Sequence, residues 1–404
     1  MLGTSAERLR TVFPPFMKLI HTADIHLDAS FAAAGFPAGF GNQRRQALRD
    51  VFLKIMKRAK AWPADGVLIA GDLFEQERVS RDTVAFLKEV FEMLRPIPVF
   101  IAPGNHDPFV QLSPYATASW PANVYIFDKP EWDSHALQHV PLTVHGFAFD
   151  GIEISRNPFE ALQVEEDGRV HVALGHGSER GHQPEGKHSY APFDGGALAQ
   201  AGLHYVALGH FHSVTPIQGS FDTVMYYSGT PEGHGFNETG ARHYLEVEID
   251  TEGEQPEVTV RPVPVNQTLY SSHTLDCSAL DHSQQLVEAL RGLAADKSVG
   301  HICKVTLTGT CASTIYESMQ ASKDAVANQF IHLVLVDETL PPEDYDALAL
   351  ENTSLGMFVR RINSEIKDAP DEEKRDMLTH ARALGVSAYR DRELPIQGLE
   401  GVQS

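Results

Sequence analysis

The stretch GVLIAGDLFE at residues 66–75 decides how this chain reads: an unbroken apolar run, a glycine, then an aspartate. Such a short run with β-branched residues predicts a strand buried on both faces. The glycine lets the backbone turn sharply where the strand ends, and a carboxylate, Asp72, follows at once. The same grammar recurs on either side. MKLIHTADIHLD (17–28) ends in Asp24 and His26, and VFIAPGNHD (99–107) ends in Asn105, His106 and Asp107. Further on, VHVALGHGS (170–178) carries His176 and YVALGHFH (205–212) carries His210 and His212. Apolar residues at helical spacing over 43–61 and 81–94 separate the first three runs, with Ser80 as an N-cap and Pro96 beyond the second helix. The opening is therefore βαβαβ. Short strands at 124–127, 142–149, 225–227, 244–249 and 258–265 add to it, predicting a large α/β system of mixed sheets with helices outside.

Strand ends in an open α/β sheet are where ligands converge, and five of them here deliver metal-ligating residue types in order. Two aspartates (Asp24, Asp72), one asparagine (Asn105) and four histidines (His26, His176, His210, His212) form a hard-to-borderline set. It suits two divalent ions such as Mn²⁺ or Fe²⁺ better than thiolate-seeking metals. Asp72 is the natural bridge between ions about 3.5–4 Å apart. Such a pair makes a bridging hydroxide at neutral pH and neutralises charge on phosphorus during in-line displacement, so the chemistry served best is phosphoester hydrolysis.

Asp24-x-His26, Gly71-Asp72, Gly104-Asn105-His106-Asp107, Gly175-His176 and Gly209-His210-x-His212 resemble the five motifs of the calcineurin-like metallophosphoesterases. GDLF, GNHD and YSGTPEG (227–233) resemble the branch of DNA double-strand-break repair nucleases, the SbcD and YhaO-like subunits; Phe236-x-Glu238-x-Gly240 and the run at 190–193 fit the YhaO-like group. The resemblance covers about residues 17–265. It implies a β-sandwich of mixed sheets flanked by helices, followed by a small α/β capping domain and a helical tail. It implies that one metal binds Asp24, His26, Asp72 and His212, and the other Asp72, Asn105, His176 and His210. His106, not a ligand in that family, would steady the transition state and protonate the leaving oxygen. Glu75 stands where superfamily phosphatases place a carboxylate that orients this histidine; some repair nucleases carry a histidine there instead. A carboxylate beside His106 would raise its pKa and favour the acid form. Asp107 is either a residue that supports the ligands from behind or a cap on its own turn.

The 404 residues are enough for two or three domains. They are expected to divide into an extension at 1–16, disordered or preceding a true start at Met17, a nuclease domain at 17–267, a capping domain at 268–340 and a helical tail at 341–404. By the same resemblance the tail docks an SbcC-like coiled-coil ATPase, and a homodimer is possible. There are 33 basic and 54 acidic residues, a net charge of −21, which argues against binding DNA by bulk electrostatics alone. Two cations and an ATPase partner could supply positive field locally. Cys277, Cys303 and Cys311 fit neither a CxxC knuckle nor a disulfide framework, so a reducing cytoplasm is expected, and no apolar run is long enough to cross a membrane.

The leading reading is a Mn²⁺-dependent two-metal phosphodiesterase cutting DNA ends or single strands, with Fe²⁺, Mg²⁺ and Zn²⁺ as other metals for the site. An enzyme of small phosphodiesters or cyclic nucleotides is the alternative, and a non-catalytic DNA-tethering scaffold the third. Other features read as structural. GHQPEGK (181–187) spells most of a phosphate-binding loop but lacks the flanking strand and helix. Arg44, Arg45 and Arg49, with Lys54, Lys57 and Arg58, read as the solvated face of one helix. His234, two residues beyond Glu232, could reach the cleft.

Overall fold

The computed structural model describes residues 16–31, 39–154, 158–181, 189–219, 222–294, 299–340 and 343–390. The chain divides into two units, Met1–Thr268 and Leu269–Ser404.

The first unit holds two six-stranded sheets. Strands β1 (Phe16–Thr22), β2 (Gly66–Ile69), β3 (Val99–Ile101) and β4 (Val124–Ile126) run parallel in that order. Strands β5 (Asp133–Ala136), β6 (Leu142–Gly146), β7 (Val170–His176), β8 (Tyr205–Gly209), β9 (Thr215–Pro216) and β10 (Val224–Tyr227) make the second sheet, in the order β5-β6-β7-β8-β10-β9. Its four inner strands are parallel and its two edge strands antiparallel. The chain then returns to the first sheet as β11 (His243–Asp250), antiparallel to β1, and β12 (Glu257–Pro264) on the edge.

The two sheets face each other across one core. Leu19, Leu68 and Phe100 from the first pack with Val144, Val172 and Tyr205 from the second, all fully buried. Each such side chain contributes about 1.5–3 kcal/mol by leaving water, so the strand ends rest on a close-packed platform. Helix α1 (Phe40–Ala61) turns Leu48, Val51, Phe52, Ile55 and Met56 inward at the spacing of one helical stripe. Helix α2 (Arg81–Leu94) starts where Ser80 Oγ accepts the Thr83 N–H at 3.1 Å, and buries Leu87, Val90, Phe91 and Leu94.

In the second unit β13 (Thr268–Asp276), β14 (Gly300–Thr308) and β15 (His332–Asp337) form a three-stranded sheet, with β14 and β15 parallel. Helices α3 (Ser283–Gly292) and α4 (Met319–Val326) bury Leu286, Leu290 and Val326 with Cys277, Cys303 and Leu307. Helices α5 (Ser354–Lys367) and α6 (Glu372–Tyr389) meet over Val359 and Val386. No helix among the described residues is long and apolar enough to cross a membrane.

Two sequence expectations shift. Strand β1 opens at Phe16, one residue before Met17, while 1–15 lie outside the described residues, as do 182–188 of the GHQPEGK run. Strand β13 is not foreseen, because its exposed residues Ser272, Thr274 and Asp276 interrupt any apolar run.

Candidate metal centre

The loops leaving β1, β2, β3, β7 and β8 are laced together by backbone groups that donate to one another and to two carboxylates. The N–H of Asp24 donates to Gly71 O at 3.1 Å, that of His26 to Asp72 O at 2.9 Å and that of Leu27 to Leu73 O at 3.0 Å, so the first two loops continue the β1–β2 pairing. The β3 loop is tied in by Asp107, whose carboxylate accepts from Asp72 N–H (2.9 Å), Leu73 N–H (2.7 Å), Gly104 N–H (2.7 Å) and Tyr115 O–H (2.7 Å). The β8 loop is tied to β1 through His210 N–H, 3.1 Å from both Asp24 carboxylate oxygens. Glycines permit this closeness: a Cβ on Gly209 would overlap the Ala70 carbonyl, and one on Gly104 the Asp72 carboxylate.

The lacing holds four chemistry-bearing residues in the left-handed region: Asp24 (φ 53°), His26 (φ 49°), Asp72 (φ 53°) and His210 (φ 114°). A non-glycine residue there costs about 1–2 kcal/mol, and it persists only where neighbours over-determine it, as they characteristically do at functional sites.

Three of the histidines share one orientation. His26 Nδ1 lies 2.8 Å from Glu75 Oε1, His176 Nδ1 lies 2.9 Å from Ala70 O and His212 Nδ1 lies 2.5 Å from Glu238 Oε1. Each therefore presents Nε2 to the carboxylates: His26 Nε2 is 3.7 Å from Asp72 Oδ2, His176 Nε2 is 3.3 Å from the same oxygen, and His212 Nε2 is 3.8 Å from Asp24 Oδ1. An imidazole whose outer nitrogen is fixed by an acceptor and whose inner nitrogen faces carboxylates is the arrangement metal sites use. Asn105 Oδ1 sits 3.0 Å from His176 Nε2, and the His210 ring centroid 5.3 Å from that of His176. Asp24, His26 and His212 form one candidate ligand group, and Asp24, Asp72 and His176 another. The seven ligand candidates read from the sequence thus converge.

The fit to a cation has a direct sign. His26 Nε2 is buried and has no hydrogen-bond partner among the described residues. A polar nitrogen left so is costly, and a divalent ion bridging to Asp72 would satisfy it. The electrostatics agree. Burial alone would raise the Asp72 carboxyl, but His176, His26 and His106 around it hold it well below the usual carboxylate range. Burial works against a charged His176, yet the Asp72 charge and hydrogen bond push it up to about 9. Burial, then the neighbouring His176, brings His210 down to about 3.

His106 stands apart from the ligand candidates. Its side chain is 45% exposed, its N–H donates to Asp72 Oδ1 at 2.9 Å and its Nδ1 lies 3.1 Å from Glu75 Oε2. That hydrogen bond, opposed by partial burial and helped by the Asp72 charge, pushes it up to about 9. Glu75 itself is drawn down to about 2: burial, which would raise it, is outweighed by the two histidines it holds.

Sequence reasoning misplaced one residue and missed another. Arg44 is not solvated but 2% exposed, 2.6 Å from the fully buried Glu232 and donating to Gly233 O at 2.7 Å and to Thr268 Oγ1. Its partner lies nearly two hundred positions away, out of reach of helical periodicity. Glu238, quoted only as part of a run, holds both His212 and His234. His234 does reach the site, its ring centroid 5.3 Å from that of His26.

Residues 17–214 match the family model described as calcineurin-like phosphoesterase. The chain is 29% identical over 239 residues to the uncharacterized metallophosphoesterase YhaO of Bacillus subtilis, covering 58% of this chain and 57% of that one. It is 24% identical over 262 residues to the SbcD component of the nuclease SbcCD from Staphylococcus epidermidis, covering 58% and 66%. The matches thus span between half and two thirds of those relatives' lengths. Among solved structures, a dimetal phosphatase from Danio rerio aligns at 11% identity and a TM-score of 0.36, over 63% of this chain and 99% of that one.

Proposed function

Taking residues 17–214 as a calcineurin-like phosphoesterase domain, a metal-dependent hydrolase of phosphoester bonds, we propose that this chain hydrolyses phosphodiester bonds of DNA. It would be the nuclease component of a repair complex with a coiled-coil ATPase of the SbcC kind. The observation that carries the hydrolase chemistry is the division of labour at Glu75. One oxygen holds the ligand candidate His26 at 2.8 Å and the other the half-exposed His106 at 3.1 Å.

Asp24, His26, Asp72 and His212 would hold one divalent ion, and Asp72, Asn105, His176 and His210 the other, Mn²⁺ being the first candidate. Bound there, the pair supplies an activated water at neutral pH and neutralises charge at phosphorus. The protein does the rest. His106 has Nδ1 committed to Glu75, so the proton it gives to the leaving oxygen is the one on Nε2. Asp107 keeps the loops of Asp72 and Asn105 in register.

The choice of DNA rests on the similarity to the Staphylococcus protein, whose name is that of a nuclease. In this reading residues 268–340 act as a capping domain, 341–404 dock the ATPase and the complex works in the cytoplasm. The net charge of −21 predicts weak affinity of the chain alone for DNA. A small phosphodiester is the competing substrate.

The test is Mn²⁺-dependent cleavage of end-labelled single- and double-stranded DNA by the wild type and His106→Ala, with bis(p-nitrophenyl) phosphate as control. Loss of DNA cleavage in the variant with metal retained supports the nuclease. Hydrolysis of the small ester with DNA untouched, even when an ATPase partner is added, overturns it in favour of the small-molecule enzyme.

A further inference from the structure

Two carboxylates in this site do the same thing. Glu75 places Oε1 2.8 Å from His26 Nδ1 and Oε2 3.1 Å from His106 Nδ1. Glu238 places Oε1 2.5 Å from His212 Nδ1 and Oε2 3.1 Å from His234 Nδ1. Each divides between one ligand candidate and one further histidine. The two further histidines flank the same ring: His106 and His234 meet His26 edge-on, with centroids 4.8 and 5.3 Å away and planes at 85° and 86°.

The sets His26-Glu75-His106 and His212-His234-Glu238 each have the spacing of a metal cluster. Both are already consumed by hydrogen bonds through Nδ1, so neither is a third cation site. What remains open at His234 is Nε2, which is buried and without a partner among the described residues. The rest of the residue is held by other contacts. Its Nδ1 and its own backbone N–H, 2.7 Å away, both engage Glu238 Oε2, and its face stacks on Phe31 at a centroid distance of 5.9 Å.

We propose that His234 is a second substrate-contacting histidine, presenting Nε2 to a phosphoryl oxygen beside His26 and His212, and that Glu238 is the positioning residue for both His212 and His234. This rests on the reading of the site as a phosphoester hydrolase. It gives the centre two non-ligand histidines edge-on to His26, although the position three residues after Asp72 is a glutamate. It also explains why a carboxylate so far from the DxH and GNHD motifs is buried here, at 7% exposure.

The test uses the full chain and two probes, Mn²⁺ and then tungstate, an inert mimic of phosphate, titrated calorimetrically into wild type, His234→Asn and Glu238→Gln, with thermal melts to establish folding. His234→Asn is expected to bind Mn²⁺ within twofold of wild type and tungstate about tenfold more weakly, a loss of one hydrogen bond. Glu238→Gln is expected to weaken Mn²⁺ itself by about ten- to a hundredfold, as loss of an outer partner of a metal-binding histidine does. His234→Gln replaces His234→Asn if the latter melts early. Unchanged tungstate affinity in a folded His234 variant overturns the substrate contact and leaves His234 as packing against Phe31. Unchanged Mn²⁺ affinity in Glu238→Gln overturns the positioning role. A wild type that binds both probes but hydrolyses no ester would count against the hydrolase reading alone.

Discussion

Asp107 accepts the backbone N–H of Asp72 at 2.9 Å, and by that bond the GNHD loop sets where the Asp72 carboxylate of the GD loop stands. The same carboxylate takes three further donors, from Leu73, Gly104 and Tyr115, and is fully buried. Its bonds reach beyond its own turn, to the GD loop and to Tyr115.

Asp107→Ala is therefore expected to leave four buried donors unsatisfied and to destabilise the fold by roughly 2–4 kcal/mol, with Mn²⁺ affinity falling as Asp72 loses its place. Urea denaturation read alongside Mn²⁺ titration checks this. Unchanged stability would mean that the four donors find other acceptors.

Binding of Mn²⁺ should release a proton. The Asp72 charge outweighs burial and keeps His176 charged up to about 9 in the metal-free protein, and a metal needs its Nε2 bare. Below that pH the Mn²⁺ affinity rises about tenfold per pH unit, then levels off. Calorimetry at pH 7.5 in two buffers of different ionisation enthalpy measures it. Equal heats in both would contradict the protonated His176.

Glu75→Gln should move the alkaline limb of the rate profile. A general acid works while protonated, so the rate falls as pH passes its pKa. The Glu75 hydrogen bond is the largest influence holding His106 at about 9. Removing the charge drops His106 toward its ordinary 6.5, so the limb moves to lower pH by one unit or more. A profile of bis(p-nitrophenyl) phosphate hydrolysis from pH 6 to 10 measures this, and a limb that stays put would detach Glu75 from His106.

His21 should weaken the fold in acid. It is fully buried between Tyr205 O–H (2.7 Å) and Leu208 O (3.2 Å), and burial lowers it to about 3. Above 6.5 both folded and unfolded states leave it neutral. Below 6.5 only the unfolded state takes the proton, so stability falls with pH down to about 3, by about 2 kcal/mol at pH 5 from this group. NMR of the His21 ring checks it: a shift that titrates near 6.5 in the folded protein would refute the assignment.

How far the site was legible follows from the range of each interaction. Asp24, Asp72 and His176 could be read because each follows an apolar run that can only be a buried strand, and strand ends fix position within a residue or two. Glu75 was readable only through the family resemblance, which places a carboxylate three residues after Asp72, and its second partner, His26, was not readable at all. Glu238 and the burial of Arg44 were not readable, since their meaning depends on His212 and on Glu232, brought close by the two sheets closing on one core. Strand β13 was obscured because its second half alternates half-buried residues with the exposed, polar Ser272, Thr274 and Asp276.

The left-handed backbone at Asp24, His26, Asp72 and His210 narrows the alphabet that mutagenesis can use without confusion. Asparagine and glycine accept that conformation at small cost, whereas alanine adds about 1–2 kcal/mol before any ligand is lost. An alanine scan would therefore blend backbone strain into the apparent loss of metal or rate at Asp24 and Asp72. Asp72→Asn removes a charge and leaves the turn alone, and comparing it with Asp72→Ala would isolate the contribution of the turn. The same filter acts on natural drift, so descendants of this chain that lose activity should reach asparagine or glycine at these positions before they reach alanine.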